Sequence, residues 1–544
     1  MANKDEVRIS SSDLDADGLP LARTRLTHGA DQRDKVVLAA PQAVIPIVFL
    51  PGIMGTNLKS KETGNVVWRP PNTDGFFSIL DAIGQLIAFA FRGAATRQRR
   101  LHPDKVDVDE SGPLDAEGVI DESLASERGW GALMRSAYNP VMAELQKQLN
   151  DIMTGGKPAP WWSDEGKRSP ADYGEEVGGN AALDDEALKH AAGYRYEVWG
   201  GGYNWLQSNR ASAQDIIDRI EDVILPYYRE RSMRADKVIL VTHSMGGLVG
   251  RSVACLHDYK NILGVIHGVM PATGAAATYH HCRAGYEGVS SVILGRDAGE
   301  VVAILAQSPG GLELLPAADY KEGQPWLKLG DKPDSGNQLP STGDPYREIY
   351  LSTAWYGLVP EANTPLLDPA GLHGTVVEES ELDEPPLGGT RKLFDRSIEE
   401  VMAFHQDIQD RYHHATYSHF GDDDRQQSWS DLAWEGAFIG PYDQMQALED
   451  NHNGSIKLKG EQGAVKLKIA DPADSGDGTV PASSGAAPKK AGARASFRQG
   501  NQGQGAFVGK EGKGYEHQGS YNDERSLWAS LYGVVLCADE ADWA

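Results

Sequence analysis

The chain has 544 residues, of which 40% are hydrophobic, and its formal net charge at pH 7 is −26. That length allows several domains or one domain with large insertions, and the negative charge argues against nucleic acid as a partner and against bulk attraction to anionic membranes. The three cysteines predict neither a disulfide framework nor a zinc site. No apolar run reaches the roughly 18 residues of a spanning helix, and the first residues lack a secretory signal, so we expect a protein that is cytoplasmic in the producing cell.

Residues 1–42 are polar, mixed in charge and without clear periodicity, so we expect a polar leader ahead of a folded domain that spans residues 43–544. An apolar run over 44–50 predicts a buried strand. The strand continues into Pro-Gly-Ile-Met-Gly at residues 51–55, which taken alone favours a simple turn. A glycine-rich loop after a strand can also donate backbone N–H groups to a bound substrate, because glycine lets the backbone approach the substrate closely.

The first insertion, residues 56–190, contains a long apolar run over residues 76–91. The run begins at Phe76, ends at Phe91 and is followed by a basic cluster of Arg92, Arg97, Arg99 and Arg100. Two interpretations are open. Either the run is a helix packed permanently on the core, or it is a lid whose local apolar patch docks on a membrane surface while the arginines meet lipid phosphates. A second helix is predicted over 141–153, where apolar residues recur on one face.

Strand-like and helix-like patterns alternate between residues 194 and 270, which predicts a mainly parallel sheet flanked by helices. Apolar runs over 194–199, 238–241 and 262–270 predict three of its strands. Between the first two strands, residues 212–215 resemble a capping box that opens a helix.

The stretch Thr-His-Ser-Met-Gly at residues 242–246 separates the second of these strands from a segment that is compatible with a helix. A serine on a sharp turn between a strand and a helix is the nucleophile elbow of the α/β-hydrolase fold. Small residues are needed two positions before and after the serine, because the strand and the helix pass close to each other there. Gly246 meets this need, whereas Thr242 departs from the usual Gly-x-Ser-x-Gly pattern. The alternative is an ordinary strand, turn and helix with Ser244 on the surface.

The second insertion spans residues 275–450, and we expect it to form a cap or lid together with the first. A short run over 348–353 predicts a strand of the main sheet. Later, alternation over 455–469 predicts a hairpin, and residues 527–535 predict a closing helix.

Three histidines and three aspartates lie close together near the end of this insertion: His413, His414, His419, Asp422, Asp423 and Asp424. Their spacing matches no known type of metal site. We therefore expect a solvated polar loop here and no bound metal.

A serine hydroxyl is a weak nucleophile at neutral pH and needs a histidine to take its proton and an acid to orient that histidine. In α/β-hydrolases the chain order is serine, acid, histidine. Asp477 lies between glycines in a loop after strand-like sequence, where such an acid belongs, and His517 is the only histidine that follows it. Asp471 and Asp474 remain alternative acids, and a surface-loop position remains the alternative interpretation of His517.

Four short motifs carry a resemblance to a known family. They are Pro-Gly-Ile-Met-Gly at 51–55, His-Ser-Met-Gly-Gly at 243–247, Gly-Asp-Gly-Thr-Val-Pro at 476–481 and the late His517. Together they resemble the lecithin:cholesterol acyltransferase-like lipases and the bacterial relatives of the GPI inositol deacylase. The resemblance implies an α/β-hydrolase fold that acts on lipid esters without an organic cofactor.

Carried over to this chain, the resemblance makes Ser244 the nucleophile, His517 the general base and Asp477 the acid that orients the base. It assigns the oxyanion hole to the backbone N–H groups of Ile53 and Met245. The implied activity is that of a serine lipase or phospholipase, which hydrolyses carboxylic esters of membrane lipids through an acyl-enzyme.

Three other functions stay open. A lipid acyltransferase uses the same triad and differs only in what resolves the acyl-enzyme. An esterase for small soluble substrates agrees less well with an apolar lid, and an inactive hydrolase fold that serves as a binding module would be expected to have lost a triad residue.

Several bacterial proteins of this kind that lack a secretory signal look like type VI secretion lipase effectors. We therefore also expect export by a signal-independent secretion machine and an immunity protein that neutralises the enzyme in the producing cell.

Overall fold

The computed structural model describes most of the chain after residue 40, together with three short strands near the N-terminus. The described residues are 8–14, 20–22, 35–38, 41–70, 93–177, 179–286, 295–330, 337–372, 386–437, 442, 445–460, 463–500 and 514–544. The apolar run over 76–91 and the adjacent Arg92 therefore lie outside the described residues.

A six-stranded parallel sheet forms the centre of the fold. Its strands are β1 (Val44–Leu50), β2 (Arg195–Gly200), β3 (Val238–His243), β4 (Ile262–Gly268), β5 (Thr416–Gly421) and β6 (Ala495–Gln499). They lie in the order β2-β1-β3-β4-β5-β6, and every neighbouring pair is parallel. Every residue of β1 to β5 is buried, as expected for a parallel sheet that is covered on both faces. The four strands predicted up to residue 270 are thus confirmed, with small shifts at their ends.

Side chains that alternate along β1 enter two different layers of the core. Ile47 packs in the layer that contains the helix Arg135–Asn150 and the C-terminal helix Glu524–Ala538. Val48, the next residue, points to the opposite face, where the helix Asn209–Arg219 packs. Because successive side chains of a strand point to opposite faces and both faces are covered, the strand must be apolar throughout, which is why its sequence is a continuous apolar run.

The start of one helix differs from the prediction. The helix Asn209–Arg219 opens at Ser208, whose side chain accepts a hydrogen bond from a backbone N–H three residues further on. The capping box predicted at 212–215 is therefore wrong. Ser212 lies inside the first turn of the helix, is fully buried, and donates its hydroxyl proton to a backbone carbonyl.

Strands that follow β4 in the chain form a second sheet, which has its own hydrophobic core. In order across the sheet, its strands are Gln338–Leu339, Leu327–Leu329, Leu432–Glu435, Gly463–Ile469, Ser455–Gly460 and Gln446–Asp450. The core beneath it is rich in large aromatic side chains, among them Trp326, Tyr350, Trp355 and Trp434. The described residues after β4 thus build a second hydrophobic core besides the layers of the central sheet.

Two predictions within this region have different outcomes. The hairpin predicted over 455–469 is confirmed, since its two arms pair antiparallel along their length. The strand predicted over 348–353 is wrong, because residues Tyr346–Tyr350 form a helical turn that buries Tyr346 and Ile349 together.

Smaller elements complete the described fold. Short strands form two three-stranded sheets and two pairs. The sheets are Arg8–Leu14 with Pro20–Ala22 and Lys35–Leu38, and Leu58–Ser60 with Val66–Trp68 and Val106–Val108. The pairs are Met153–Thr154 with Lys157–Pro158, and Asp423–Ser428 with Asp474–Gly476. The other α-helices are Ala94–Arg100, Glu122–Glu127, Pro160–Asp164, Asp185–Ala191, Leu225–Glu230, Gly246–Arg251, Ala276–Ala284, Ala298–Leu305, Pro309–Leu312, Pro386–Ile408, Ala482–Gly485 and Ala487–Lys490. Among the described residues, no helix combines the length and the apolar character needed to cross a bilayer.

Candidate active site

Ser244 lies on the sharp turn between β3 and the helix Gly246–Arg251. Its φ angle is 53°, a left-handed conformation that is strained for a residue with a side chain. The backbone N–H of Ser244 donates to the carbonyl of Gly268 at 2.9 Å, so the end of β4 holds the turn in this conformation. A strained serine at the carboxyl end of a central strand is the geometry of a nucleophile elbow.

Packing around the turn shows which positions require small residues. A Cβ atom at Gly246 would lie 2.5 Å from the carbonyl oxygen of Leu50, so only glycine lets the helix pass the end of β1. Thr242 is fully buried, and its hydroxyl lies 3.1 Å from Nδ1 of His267. The methyl group of Thr242 faces Gly250, where an added Cβ would lie 3.1 Å away. The elbow therefore tolerates threonine in place of the usual glycine because the helix provides the missing space.

The structure brings Ser244, His517 and Asp477 together from three separate loops. Oγ of Ser244 lies 2.9 Å from Nε2 of His517, and Nδ1 of the same ring lies 2.8 Å from Oδ2 of Asp477. All three side chains belong to buried residues. An ionised carboxylate can only accept, so Nδ1 carries a proton and Nε2 is left to accept the proton of the serine hydroxyl. In this tautomer the histidine can act as a base towards Ser244.

Asp477 is held by backbone N–H groups as well as by the histidine. Its Oδ1 accepts hydrogen bonds from the N–H of Thr479 at 3.0 Å and from the N–H of Val480 at 2.7 Å. The main-chain N–H of His517 donates to the carbonyl of Asp477 at 2.8 Å. These bonds fix both the carboxylate and the loop that carries the histidine.

The two alternative acids lie elsewhere. Oδ2 of Asp474 accepts hydrogen bonds from the N–H groups of Ser430 and Asp431, both at 3.0 Å. Asp471 is exposed. Within the part of the chain that the structure describes, Asp477 is the carboxylate that hydrogen-bonds to the ring of His517.

Burial and charge act in opposite directions on the pKa of His517. Burial of the ring lowers the pKa, but the Asp477 carboxylate raises it, with a further contribution from Glu516, and the net pKa lies above the ordinary value of 6.5. The raised pKa makes Nε2 a stronger base than that of an isolated histidine. The adjacent ring of His243 behaves differently, because burial lowers its pKa to about 3 and keeps it neutral.

The two residues predicted to form an oxyanion hole are Ile53 and Met245. Ile53 belongs to the loop after β1 and lines the same cavity as Ser244, while Met245 is the next residue of the elbow. Among the described residues, neither backbone N–H donates to a protein acceptor. The two amides are therefore available, within that part of the chain, to an oxygen atom of a ligand.

Ser244 and His517 line a cavity of about 650 Å³. Residues from both insertions contribute to its walls, which are mostly apolar and include Ile53, Trp68, Leu305, Leu314, Trp429 and Val480. Two histidines, His280 and His281, also line it, and burial lowers their pKa values to about 3 and about 4. These rings are therefore neutral near pH 7, and the cavity suits an uncharged ligand group.

The polar loop predicted around residues 413–424 is wrong from residue 416 onwards, where the chain forms strands, while His413 and His414 do lie in a loop. His419 is 1% exposed, belongs to β5, and its Nδ1 lies 3.1 Å from the hydroxyl of Tyr515. Asp423 is also buried and pairs with Arg425 at 2.8 Å. His419 and Asp423 thus have separate partners and lie on two different strands, β5 and the strand Asp423–Ser428, whereas His413 and His414 lie in the connection before β5. In the described ranges, no three His, Cys, Asp or Glu side chains are grouped so that they could hold a metal ion.

The basic cluster is only partly available to a lipid. Arg97 is 3% exposed and lies 3.5 Å from the carboxylate of Glu300, so the expectation that it meets lipid phosphates is wrong. Arg99 is exposed and donates to the carbonyl of Ala370 at 3.1 Å, and Arg100 is half-buried.

Tyr138 lies beside the site but belongs to no sequence motif. The hydroxyl of Tyr138 accepts a hydrogen bond from the N–H of Gly52 at 3.1 Å and lies 3.2 Å from Nδ1 of His243. Nε2 of His243 in turn lies 3.0 Å from the carbonyl of His517. His243 is visible in the elbow motif, but a single tyrosine in an insertion gives no pattern from which its place at the site could be predicted.

Comparison with known proteins shows which proteins this chain is similar to. A family model described as the PGAP1-like alpha/beta domain matches residues 204–290, which include the Ser244 elbow. A chain in a solved structure, "The crystal structure of Tle4-Tli4 complex", is 43% identical, and the match covers 92% of this chain and 100% of that chain with a TM-score of 0.82. This chain belongs to the same family. Comparison with curated proteins gave no match.

Membership of this family confirms two predictions from the sequence. The fold is that of an α/β-hydrolase, with a parallel sheet flanked by helices and additional sheets as insertions. The resemblance to the GPI inositol deacylase-like hydrolases is confirmed as well.

Proposed function

We propose that the protein is a serine lipase or phospholipase that hydrolyses carboxylic esters of membrane lipids. The observation that carries this proposal is the hydrogen-bonded series from Ser244 through His517 to Asp477 at the wall of a mostly apolar cavity. A nucleophile and base beside an apolar cavity suit an ester bond with an attached acyl chain.

The reaction proceeds through an acyl-enzyme. Oγ of Ser244 attacks the ester carbonyl while Nε2 of His517 takes the serine proton, and Asp477 stabilises the imidazolium that forms. The negatively charged oxygen accepts hydrogen bonds from the N–H groups of Ile53 and Met245, and losing one such donor lowers kcat roughly 100-fold or more. His517 then gives its proton to the leaving alcohol, and water resolves the acyl-enzyme by the same steps.

The cavity wall favours lipid esters over small charged substrates. Among its described lining residues, Glu516 is the one charged side chain, and it is exposed. Leu305, Leu314 and Trp429 offer apolar contacts to an acyl chain. Burying one aliphatic chain segment stabilises a complex by about 0.8 kcal/mol for each CH₂ group, so long acyl chains bind more tightly than short ones.

We further propose that the protein is an exported effector with an immunity protein as its partner. The support for this is the related solved structure, which is a complex of Tle4 with Tli4. A lipid hydrolase threatens the membranes of the cell that makes it, so a protein that binds it and blocks the cavity would protect the producer. Delivery by a type VI secretion machine is part of this proposal.

Covalent labelling tests the hydrolase. A fluorophosphonate should label the wild-type protein and should not label Ser244→Ala, and a panel of phospholipids, glycerides and short-chain esters should identify the substrate class. A wild-type protein that is neither labelled nor able to hydrolyse any of these esters would refute the proposed activity.

Expression in a bacterial host tests the effector. Wild-type protein sent to the periplasm should inhibit growth more strongly than the same protein in the cytoplasm, and Ser244→Ala should be harmless in both compartments. Equal growth of wild type and mutant in both compartments would argue against an effector while leaving the hydrolase itself intact.

A further inference from the structure

We infer that Tyr138 and His243 are positioning residues that join the loop 51–55, the Ser244 elbow and the His517 loop through one buried series of hydrogen bonds. The series runs from the N–H of Gly52 to the Tyr138 hydroxyl, then to the ring of His243, and ends at the carbonyl of His517. The inference rests on the proposed function, since it gives both residues a role in hydrolysis by Ser244.

The direction of each hydrogen bond follows from the chemistry of the partners. The carbonyl of His517 can only accept, so Nε2 of His243, 3.0 Å away, carries the ring proton. The His243 ring is neutral, since burial lowers its pKa to about 3, and its Nδ1 is therefore an acceptor. Tyr138 must then donate its hydroxyl proton to Nδ1 at 3.2 Å, and its oxygen accepts from the N–H of Gly52 at 3.1 Å. The direction of the series is thus defined from Gly52 to His517, and the side chain of Gln518 is a further partner of the Tyr138 hydroxyl.

The series is enclosed by the core. Tyr138 is 1% exposed and His243 is 2% exposed. The two rings meet edge to face with centroids 5.4 Å apart, and Phe49 of β1 packs against Tyr138 at the same centroid distance. Bulk water has little access to this position, so a missing hydroxyl would leave the Gly52 N–H and Nδ1 of His243 without partners.

The series lies next to each group that acts in the proposed reaction. Gly52 directly precedes Ile53, the proposed oxyanion donor, and His243 directly precedes Ser244. Its last member is the backbone of His517, whose ring is the proposed base. Tyr138 lies on the helix Arg135–Asn150, so this helix of the first insertion sets the distance between the three segments. Displacing a reacting group by about 1 Å lowers the rate on the order of 100-fold.

Tyr138→Phe tests this role by removing a single oxygen atom. We expect kcat for a soluble short-chain ester to fall on the order of 10-fold to 100-fold, because the donors and the base lose their common alignment. KM should stay close to that of the wild type, since the cavity wall is unchanged. The rate constant of fluorophosphonate labelling should fall together with kcat.

Tyr350→Phe is the matched control. Its hydroxyl is equally buried and donates to the carbonyl of Pro316 at 2.6 Å in the second core, away from the cavity lining. The control should lower the melting temperature by a similar amount as Tyr138→Phe and leave kcat unchanged. A fall in kcat that is the same in both variants would overturn the inference, because it would reflect stability alone.

Two substitutions of His243 give a second measurement. His243→Gln keeps an N–H donor near the position of Nε2, whereas His243→Phe keeps a ring without a donor. We expect kcat of the glutamine variant to be clearly higher than kcat of the phenylalanine variant when both proteins are folded to the same extent. Wild-type kcat in both Tyr138→Phe and His243→Phe would overturn the inference. Wild-type protein that is not labelled at all would instead refute the proposed hydrolase, so the two failures are distinguishable.

Discussion

Nδ1 of His517 donates to Oδ2 of Asp477 across 2.8 Å, and the main-chain N–H of His517 donates to the carbonyl of Asp477 across the same distance. The side-chain bond fixes the tautomer of the ring, and the main-chain bond fixes the loop that carries it. A substitution of the Asp477 side chain removes the first bond and leaves the second. The electrostatic effect of the acid can therefore be measured separately from its effect on the loop.

The pH dependence of hydrolysis should change in Asp477→Asn. In the wild type, kcat/KM should rise with pH as His517 loses its proton, around a pKa above 6.5, because Asp477 stabilises the charged ring. Asparagine removes that stabilisation while burial, which lowers the pKa, remains. The acidic limb should therefore move to lower pH, and kcat should fall by a factor on the order of 10³ to 10⁴.

A pH profile of kcat/KM for a soluble ester checks this expectation. Asp474→Asn is the matched control, since its carboxylate accepts from the backbone N–H groups of Ser430 and Asp431 and the substitution should leave the acidic limb in place. An acidic limb of Asp477→Asn that coincides with that of the wild type would contradict the assigned role of this acid.

Strain at the elbow should appear as a difference in the free energy of unfolding between two inactive variants of Ser244. The φ angle of Ser244 is 53°, which glycine adopts without a steric penalty and alanine does not. Ser244→Gly should therefore be more stable than Ser244→Ala by about 1 kcal/mol. Urea unfolding of both proteins measures this difference. Equal free energies of unfolding would show that the turn relaxes when the hydroxyl is removed.

Gly246→Ala should destabilise the elbow and lower activity. The added methyl group meets the carbonyl oxygens of Leu50 and Pro51 at 2.5 Å and 2.6 Å, so the helix and the end of β1 must move apart. We expect a loss of about 1–3 kcal/mol in the free energy of unfolding together with reduced kcat. Gly93→Ala is the control, because an added Cβ there meets no atom of the described residues within 4 Å. Thermal unfolding of the two variants side by side distinguishes this clash from a general effect of alanine.

Acyl-chain selectivity should change in Ala277→Leu. Ala277 is 3% exposed and lines the cavity, so a larger side chain reduces the space for an acyl chain. We expect kcat/KM to fall more for long-chain esters than for acetate or butyrate esters. Ala182→Leu, at an exposed position, should leave the ratio unchanged. A uniform loss across all chain lengths would indicate that the chain binds elsewhere.

The apolar run over 76–91 remains a sequence-based prediction of a membrane-docking lid. Phe76→Ser, Phe77→Ser and Leu80→Ser together should weaken vesicle binding and the hydrolysis of aggregated lipid. The melting temperature and the hydrolysis of a soluble short-chain ester should barely change. An unfolded triple mutant would reject the lid and favour a helix packed on the core, where three lost apolar side chains cost several kcal/mol.

The central sheet could be predicted because its physical cause is visible in the sequence. A strand that is covered on both faces must be apolar along its length, so β1, β3 and β4 stand out as runs. Ser244, Asp477 and His517 could be selected because an α/β-hydrolase places these residue types in one chain order. Their selection required no knowledge of the insertions.

The errors have a common physical origin in tertiary packing. Ser212 matches a helix cap in sequence, but its burial and its bond to a backbone carbonyl place it inside the helix. His419 is polar, yet a bond to Tyr515 lets it lie within β5. Tyr138 could not be found, because its role depends on three segments that only the folded chain brings together.

Ser244 and His517 are 273 positions apart in the chain. Translation therefore produces the elbow long before the histidine, and on the proposed assignment a nascent chain contains the nucleophile but not the base. The His517 loop is followed by the helix Glu524–Ala538, which packs in the core layer on one face of the central sheet. On the proposed mechanism, any fragment that stops ahead of residue 517 lacks the general base, so the hydrolase would stay inactive until its synthesis is nearly complete.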